Sequence, residues 1–161
     1  MPSLYMFVGL PGSGKSTMVA KQTANKQNIM VYSTDNFIEN ECALRGWTYT
    51  QGFTTFTHDA GVFMEKSLQE AIHNEQDVYW DQTNVGVKKR TASIKKFPDH
   101  YEKNCWVIRP PKDSSEWFML TERLANRPGK SIPDYIVRSM YDNFVMPTLK
   151  EGFDHIYMWL T

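Results

Sequence analysis

Short apolar runs of strand length alternate along the chain with longer segments whose apolar residues recur every three or four positions. This alternation is typical of a parallel sheet whose strands are connected by crossover helices. It predicts an α/β fold: a three-layer sandwich with a mostly parallel sheet of about five strands and helices on both faces. The predicted strands are Leu4–Leu10, Ile29–Ser33, Asp77–Trp80, Cys105–Arg109 and His155–Leu160.

The longer segments predict helices over residues 15–25, 35–45, 57–74, 87–97, 113–125 and 133–145. Asp35 is expected to cap the second of these, because its carboxylate can accept hydrogen bonds from the free amides at a helix start. Residues 46–56 are rich in Gly, Thr and aromatic side chains and are predicted to form a loop. Residues 126–133 contain Pro and Gly after a helix end, and they predict a mobile segment of a helical lid.

Composition limits the domain count and the partners. The 161 residues predict a single domain over residues 1–161. The 18 basic and 18 acidic side chains balance, so contact with nucleic acid would need a local basic patch. No apolar run approaches the roughly 18 residues that span a bilayer and no secretory leader opens the chain, so no membrane partner is expected. Cys42 and Cys105 are expected to be free thiols in the cytoplasm, the host cytoplasm for a phage-encoded protein.

Residues 9–17 read Gly-Leu-Pro-Gly-Ser-Gly-Lys-Ser-Thr, between the first predicted strand and the first predicted helix. This is the phosphate-binding loop pattern, and it predicts a P-loop NTPase fold that binds ATP and Mg²⁺. Glycines let successive amides point at phosphate oxygens, and the helix start adds its positive end. Lys15 is predicted to reach the β- and γ-phosphates, and Ser16 to ligate Mg²⁺. The predicted nucleotide-binding residues are Gly9, Pro11, Gly12, Ser13, Gly14, Lys15, Ser16 and Thr17.

Two aspartates follow predicted strands, where open α/β sheets place their functional groups. We assign Asp35 as the general base that accepts the proton of an attacking hydroxyl, and Asp81 as the carboxylate on the metal side. The alternative is helix capping for Asp35 and a turn for Asp81. In the predicted lid, Arg127 is the first candidate and Arg123 the second for a cation over the transferring phosphoryl group. These roles predict an ATP-dependent phosphotransferase with an alcohol group as acceptor.

Taken in order, these motifs resemble the kinase domain of the phage T4-type polynucleotide 5′-hydroxyl kinase family. The stretches that carry the resemblance are Gly9–Thr17, Ser33–Asp35, Asp81–Asn84, Arg123–Pro133 and Val137–Tyr141. The resemblance implies that Asp35 activates the acceptor hydroxyl. It also implies that Lys15 and Ser16 hold the nucleotide and the metal, and that Arg127 contacts the transferring phosphate.

One departure from the family concerns the acceptor side. The family typically has an arginine shortly after the catalytic aspartate, which helps to hold the phosphate of the substrate. In this chain Asp35 is followed by Asn36, Phe37 and Ile38, and the next arginine is Arg45. A different acceptor, bound without this arginine, is therefore also possible.

Two stretches are candidates for contact with the acceptor. Residues 88–96 hold five cations and no carboxylate, which suits either a phosphate backbone or a solvated helix face. Exposed aromatic rings in residues 46–56 would stack on a base, whereas buried ones would fold onto the core; these are Trp47, Tyr49, Phe53 and Phe56. The predicted substrate-binding residues are Asp35, Thr83, Asn84, Lys88 and Arg90.

Three hypotheses on function follow from these features. The first is a kinase for the 5′-hydroxyl end of DNA or RNA. The second is a kinase for another nucleic-acid or nucleoside hydroxyl, such as a hydroxymethylated base in a DNA modification of phage. The third is a nucleotide-binding switch or ATPase without a transfer substrate. Asp35 argues against the third, because a switch has no need of a hydroxyl-activating base.

Overall fold

The computed structural model describes residues 1–159 and has a sheet of five strands. The strands are β1 (Ser3–Val8), β2 (Ile29–Tyr32), β3 (Asp77–Asp81), β4 (Glu102–Ile108) and β5 (His155–Trp159). Neighbouring strands pair in parallel in the order β2-β3-β1-β4-β5. The parallel sheet predicted from the apolar runs is therefore confirmed. Leu160, the predicted end of the last strand, lies outside the described residues.

Within residues 1–159 the chain forms six α-helices and one short 3₁₀ turn over Leu149–Glu151. The helices are α1 (Lys15–Thr23), α2 (Thr34–Arg45), α3 (Tyr49–His73), α4 (Val87–Ile94), α5 (Ser114–Ala125) and α6 (Asp134–Asp142). None of these helices is both long enough and apolar enough to cross a membrane. The two cysteines are free and buried, Cys42 in α2 and Cys105 in β4.

Helices cover both faces of the sheet, as the near-continuous apolar strands require. On one face, Leu4 of β1 belongs to a core cluster with Leu68 of α3 and Ile94 of α4. On the other face, Phe7 of β1 packs in a cluster with Met18 of α1. Because successive side chains of a strand point to opposite faces, β1 supplies both clusters. The three-layer sandwich expected from the sequence is confirmed.

Helices α5 and α6 flank the predicted lid and pack against the loop that follows β1. Leu10 of that loop is buried in one cluster with Leu120 of α5 and Val137 of α6. Gly12 has a φ of +77°, and a Cβ built there would lie 2.9 Å from the side chain of Leu124. The loop therefore needs glycine at this position for its backbone conformation and for the close approach of α5.

The prediction of a loop over residues 46–56 is wrong, because α3 begins at Tyr49. Thr48 and Gln51 form a capping box in which each side chain accepts a hydrogen bond from the backbone amide of the other. This pair supplies the helix start that the Gly- and Thr-rich composition obscured. Glycine is needed at position 52 because α2 crosses closely there, and a Cβ at this position would overlap Sγ of Cys42.

Candidate active site

The loop between β1 and α1 has the geometry of an anion site. The Lys15 side chain is buried, and its Nζ donates a hydrogen bond to the carbonyl oxygen of Leu10 at 3.0 Å. Gly14 precedes α1 with a φ of +103°, and no side chain caps the first amides of the helix. The hydroxyl of Ser13 is buried without a hydrogen-bond partner. A phosphate chain would satisfy these amides and this hydroxyl, so the residues present fit a nucleotide.

Burial controls the charge of the loop lysine. It lowers the pKa of Lys15 to about 8, against the attraction of the Asp81 and Asp35 carboxylates. The two aspartates therefore lie close enough to Lys15 to act on its charge, although one follows β2 and the other ends β3. The sheet order brings them together, because β2, β3 and β1 are neighbours and their carboxyl ends share one edge.

Ser16 and Asp81, the two residues predicted to hold Mg²⁺, are in contact with each other. The Ser16 hydroxyl donates a hydrogen bond to Oδ2 of Asp81 at 2.9 Å. Burial raises the pKa of Asp81, while the bond from Ser16 and the charge of Lys15 oppose that rise. A hydroxyl and a carboxylate oxygen in contact are hard ligands of the kind that Mg²⁺ prefers, so this pair fits the ion.

Asp35 lies in the first turn of α2 and does not cap it. The cap is Ser33, whose hydroxyl accepts a hydrogen bond from the Asn36 amide at 3.1 Å. This corrects the capping role considered for Asp35 and leaves its carboxylate free for other partners. Oε1 of Gln82, which follows β3, accepts a hydrogen bond from the Thr34 amide at 3.2 Å. This bond holds the start of α2 against the end of the neighbouring strand.

The Asp35 carboxylate has a partner on each oxygen. The Tyr49 hydroxyl donates to Oδ1 at 2.6 Å, and Nζ of Lys130 donates to Oδ2 at 2.8 Å. Burial alone would raise the pKa of Asp35, but the hydrogen bonds from Lys130 and Tyr49 outweigh it and hold the pKa below its ordinary value. Asp35 is therefore an ionised carboxylate at neutral pH, as a proton acceptor must be.

The segment between α5 and α6 lies over this carboxylate. The carbonyl oxygen of Gly129 accepts a hydrogen bond from the Thr50 amide at 3.2 Å, and the Ser131 amide donates to Oγ1 of Thr50 at 3.0 Å. These bonds dock the segment on the first turn of α3. At its other end, Nε of Arg123 donates to the carbonyl oxygen of Gly12 at 2.8 Å, which ties α5 to the phosphate loop. Arg127 is half-buried, and its charge acts on both Asp35 and Lys15.

Arg90, one of the predicted substrate-binding residues, is structural, which corrects that prediction. Arg90 is fully buried, with its Nε 2.6 Å from Oε1 of Glu151. Its Nη1 also donates to the backbone carbonyl oxygen of Asn84 at 2.8 Å. The Asn84 side chain is buried as well, and it donates to the carbonyl oxygen of Phe7 at 2.8 Å. The Arg90 side chain offers no group to a substrate, because it is shielded from solvent and paired inside the domain. The Asn84 amide nitrogen is engaged in this way, and a substrate role for its amide oxygen stays a prediction.

The other acceptor-side candidates lie on the surface or in the site. The carbonyl oxygen of Thr83 accepts a hydrogen bond from the Gly9 amide at 3.1 Å, which joins the end of β3 to the phosphate loop. Lys88, Lys89 and Lys95 are exposed, and no ion pair involves them among residues 1–159. Lys96 is engaged, with Nζ 2.8 Å from Oε2 of Glu65.

The four aromatic residues divide between core and surface. Phe56 is buried in a cluster that joins α2 and α3. Tyr49 is half-buried and bonds to Asp35. Trp47 and Phe53 are exposed over 43% and 46% of their surface, so these two rings can still meet a ligand. The Phe53 ring centroid lies 5.7 Å from that of Tyr49, which places the exposed ring beside the candidate base.

Three residues of the site escaped the sequence interpretation: Tyr49, Gln82 and Lys130. Gln82 lay inside one of the stretches that carry the family resemblance. Lys130 lay in the predicted lid, directly after the Pro-Gly pair. Tyr49 was considered only as a ring that could stack on a base, and its hydrogen bond to Asp35 was not predicted because its segment was interpreted as a loop.

The chain is similar to known proteins over most of its length. A protein family described as an AAA domain matches residues 4–146. A structure from the PezAT toxin–antitoxin system of Streptococcus pneumoniae aligns with a TM-score of 0.67 at 19% identity, over 99% of this chain and 67% of that one. A fungal RNA kinase aligns with a TM-score of 0.63 at 13% identity, over 98% of this chain and 38% of that one. A gluconokinase from Sinorhizobium meliloti 1021 aligns with a TM-score of 0.55 at 16% identity, over 98% of this chain and 81% of that one.

These likenesses establish the fold of a P-loop kinase. The chain spans well under half the length of the fungal RNA kinase that it resembles. The similar structures include an RNA kinase and a gluconokinase, so the shared fold occurs in kinases with different acceptors.

Proposed function

The chain belongs to the AAA domain family, and from that premise we propose that it is an ATP-dependent kinase for a nucleic-acid hydroxyl. The proposed acceptor is the 5′-hydroxyl end of DNA or RNA. The observation that carries the proposal is the convergence of three groups on one edge of the sheet. Lys15 follows β1, Asp81 ends β3 and Asp35 follows β2, and the charges of both aspartates act on Lys15.

On this proposal, Lys15 and the free amides of the phosphate loop bind the β- and γ-phosphates. Ser16 and Asp81 hold Mg²⁺, which when bound neutralises charge on the phosphate oxygens. Arg127 approaches the transferring phosphoryl group from the lid. Each residue thus acts on charge that develops during transfer, which is where a kinase gains most of its rate.

Asp35 carries the acceptor chemistry. The acceptor oxygen forms a bond to the γ-phosphorus, and the bond from that phosphorus to the bridging oxygen breaks to release ADP. The proton of the hydroxyl passes to the Asp35 carboxylate. The Tyr49 and Lys130 bonds occupy one site on each carboxylate oxygen, and a carboxylate oxygen can accept a second bond from the acceptor hydroxyl.

Exposed lysines and exposed aromatic rings support a nucleic-acid acceptor. Lys88, Lys89 and Lys95 are exposed and lie within eight residues of the sequence, with no carboxylate between them. Trp47 and Phe53 are half-exposed rings of the kind on which bases stack, worth roughly 1–3 kcal/mol each. The likeness to a solved RNA kinase points in the same direction.

One observation favours a second candidate, a kinase for a hydroxymethylated base in DNA. The carboxylate partners of Asp35 are Tyr49 and Lys130, and α2 has no arginine before Arg45. Arg45 is 43% exposed and pairs with Glu41 at 2.8 Å, so it is engaged at the far end of α2. On this candidate, the acceptor is bound by groups other than the arginine that follows the catalytic aspartate in the 5′-hydroxyl kinases that the sequence resembles.

Transfer of label from γ-labelled ATP tests the function. The acceptor panel comprises 5′-hydroxyl DNA and RNA oligonucleotides, duplex DNA with hydroxymethylated bases, nucleosides and small alcohols. The proposal expects label on the 5′ end of an oligonucleotide, and none with a Lys15→Met variant. Label only on the modified base would select the second candidate. ATP hydrolysis without label on any acceptor would overturn the proposal in favour of a nucleotide-binding switch.

A further inference from the structure

We propose that Lys130 is a positioning residue for Asp35, delivered by the lid, that holds this carboxylate ionised and directed into the cleft. The catalytic meaning of this role rests on the proposed function. The contact itself does not, because it joins two side chains of the described protein. Lys130 and Asp35 are 95 residues apart in the sequence, so only the folded lid brings them together.

Lys130 is a buried cation with a specific set of partners. Its Nζ lies 2.8 Å from Oδ2 of Asp35 and 3.8 Å from Oε1 of Glu39. It also lies 4.2 Å from the centroid of the Tyr49 ring. Only 6% of the Lys130 side chain is exposed, so its charge is shielded from water and depends on these groups. A surface lysine that met a carboxylate by chance would keep most of its hydration.

The backbone on both sides of Lys130 fixes this arrangement. Gly129 and Ser131 each form a hydrogen bond to Thr50, at 3.2 and 3.0 Å. Gly129 has a φ of +68°, and a Cβ there would lie 3.1 Å from Cβ of Thr48. The segment is therefore seated closely on the start of α3. With its neighbours held on both sides, the Lys130 side chain enters the cleft in a defined direction.

Other charged groups face Asp35 from every element around it. Arg127 of the lid favours the ionised form, as Lys130 does, whereas Glu39 of α2 and Asp81 of β3 carry charge of the same sign as Asp35. Tyr49 of α3 donates a hydrogen bond, and its pKa is raised by burial and by that bond, so it stays neutral. Without Lys130, the carboxylate would keep one hydrogen bond and the more distant Arg127 and Lys15 charges.

Lys130 stabilises the charged form of Asp35, so removal of Lys130 raises the pKa of that carboxyl. An opposite charge within about 4–6 Å typically lowers an aspartate pKa by roughly 1–3 pH units. The activity of a base is lost as the pH falls through its pKa. The acidic limb of the pH–rate profile should therefore move to higher pH when Lys130 is neutralised.

Titration of ¹³C-labelled aspartate carboxyls by NMR measures this pKa without any substrate. An Asp35→Asn variant assigns the Asp35 resonance. We expect the midpoint of Asp35 to rise by about 1–3 pH units in Lys130→Met and to stay near the wild-type value in Lys130→Arg. Lys66→Met is the matched control, because Lys66 is an exposed lysine on α3 about 25 Å along the helix from Tyr49. If Lys130→Met lost its folded circular dichroism spectrum, Lys130→Gln would carry the same measurement.

An unchanged Asp35 midpoint in a folded Lys130→Met or Lys130→Gln protein would overturn the inference. The kinetic counterpart is the pH profile of kcat/KM for the acceptor, in which the acidic limb should move with the NMR midpoint and return with Lys130→Arg. Absence of kinase activity would refute the proposed function and would not affect the NMR result. Normal kinase activity with an unchanged NMR midpoint of Asp35 would refute only the role of Lys130.

Discussion

Arg90 offers a sharp test of how the domain is held together, because a basic run in the sequence suggests a surface role and the structure contradicts it. Arg90 is fully buried, with hydrogen bonds from Nε and Nη2 to the two carboxylate oxygens of Glu151 at 2.6 and 3.2 Å. A third bond reaches the carbonyl oxygen of Asn84. An Arg90→Met change keeps most of the side-chain volume and removes the charge and all three bonds.

The expected cost is large. Removal of one partner from a buried ion pair leaves the other charge uncompensated, which typically costs about 3–5 kcal/mol. For a domain of this size, each kcal/mol shifts the midpoint of thermal unfolding by about 2–4 °C. Arg90→Met should therefore lower the Tm by roughly 6–20 °C in a calorimetric or circular dichroism melt.

Two further variants test whether the loss of stability comes from the buried Arg90–Glu151 ion pair. Lys88→Met removes an exposed cation two residues earlier on α4, and it should change the stability by less than about 0.5 kcal/mol. A double variant, Arg90→Met with Glu151→Leu, should recover most of the loss, because no charge is then left unpaired. A stable Arg90→Met protein with weakened nucleic-acid binding would refute this reasoning and restore Arg90 as a substrate contact.

Three other predictions address the phosphate loop and the surface. Gly12→Ala should lower the free energy of unfolding by about 1–3 kcal/mol in urea melts, because φ is +77° and Leu124 is in contact, while Gly61→Ala, with open space around it, should not. ATP should lose affinity as the pH rises through about 8, where the buried Lys15 loses its proton, and binding near that pH should take up protons. Calorimetry in two buffers of different ionisation enthalpy would show unequal heats near that pH, and equal heats would contradict the assignment. Replacing Lys88 and Lys89 by Ala should flatten the dependence of log K on log salt by about 2 for a labelled oligonucleotide, and an unchanged slope would mark a solvated face.

Apolar patterning was sufficient for the sheet and for most of the helices, because strand burial on both faces leaves a direct record in the sequence. The donor half of the site followed from one local motif and its position after a strand. The apolar pattern also indicated that Arg90 is buried, although the run of basic residues around it suggested a surface position. Arg90 and Ile94 are four residues apart and both buried, so the same helical spacing that predicts a buried face includes the arginine.

The acceptor half of the site depends on contacts that no local pattern records. Tyr49 and Lys130 reach Asp35 from 14 and 95 residues away, and both contacts exist only after α3 and the lid have packed. The segment before α3 illustrates a second limit. Gly52 lowers helix propensity by about 1 kcal/mol relative to alanine, which argued for a loop. Packing against Cys42 requires glycine there, and the capping box starts the helix in spite of that cost.

The central claim is that Asp35 takes the proton from an acceptor hydroxyl, and an Asp35→Asn variant tests it most directly. The measurement is single-turnover transfer from γ-labelled ATP to the acceptor that the panel identifies, together with the Kd for ATP. We expect the transfer rate to fall by about 10²–10⁴-fold, the range that general base catalysis contributes, with ATP affinity nearly unchanged. Near-normal transfer by a folded Asp35→Asn protein would contradict the assignment.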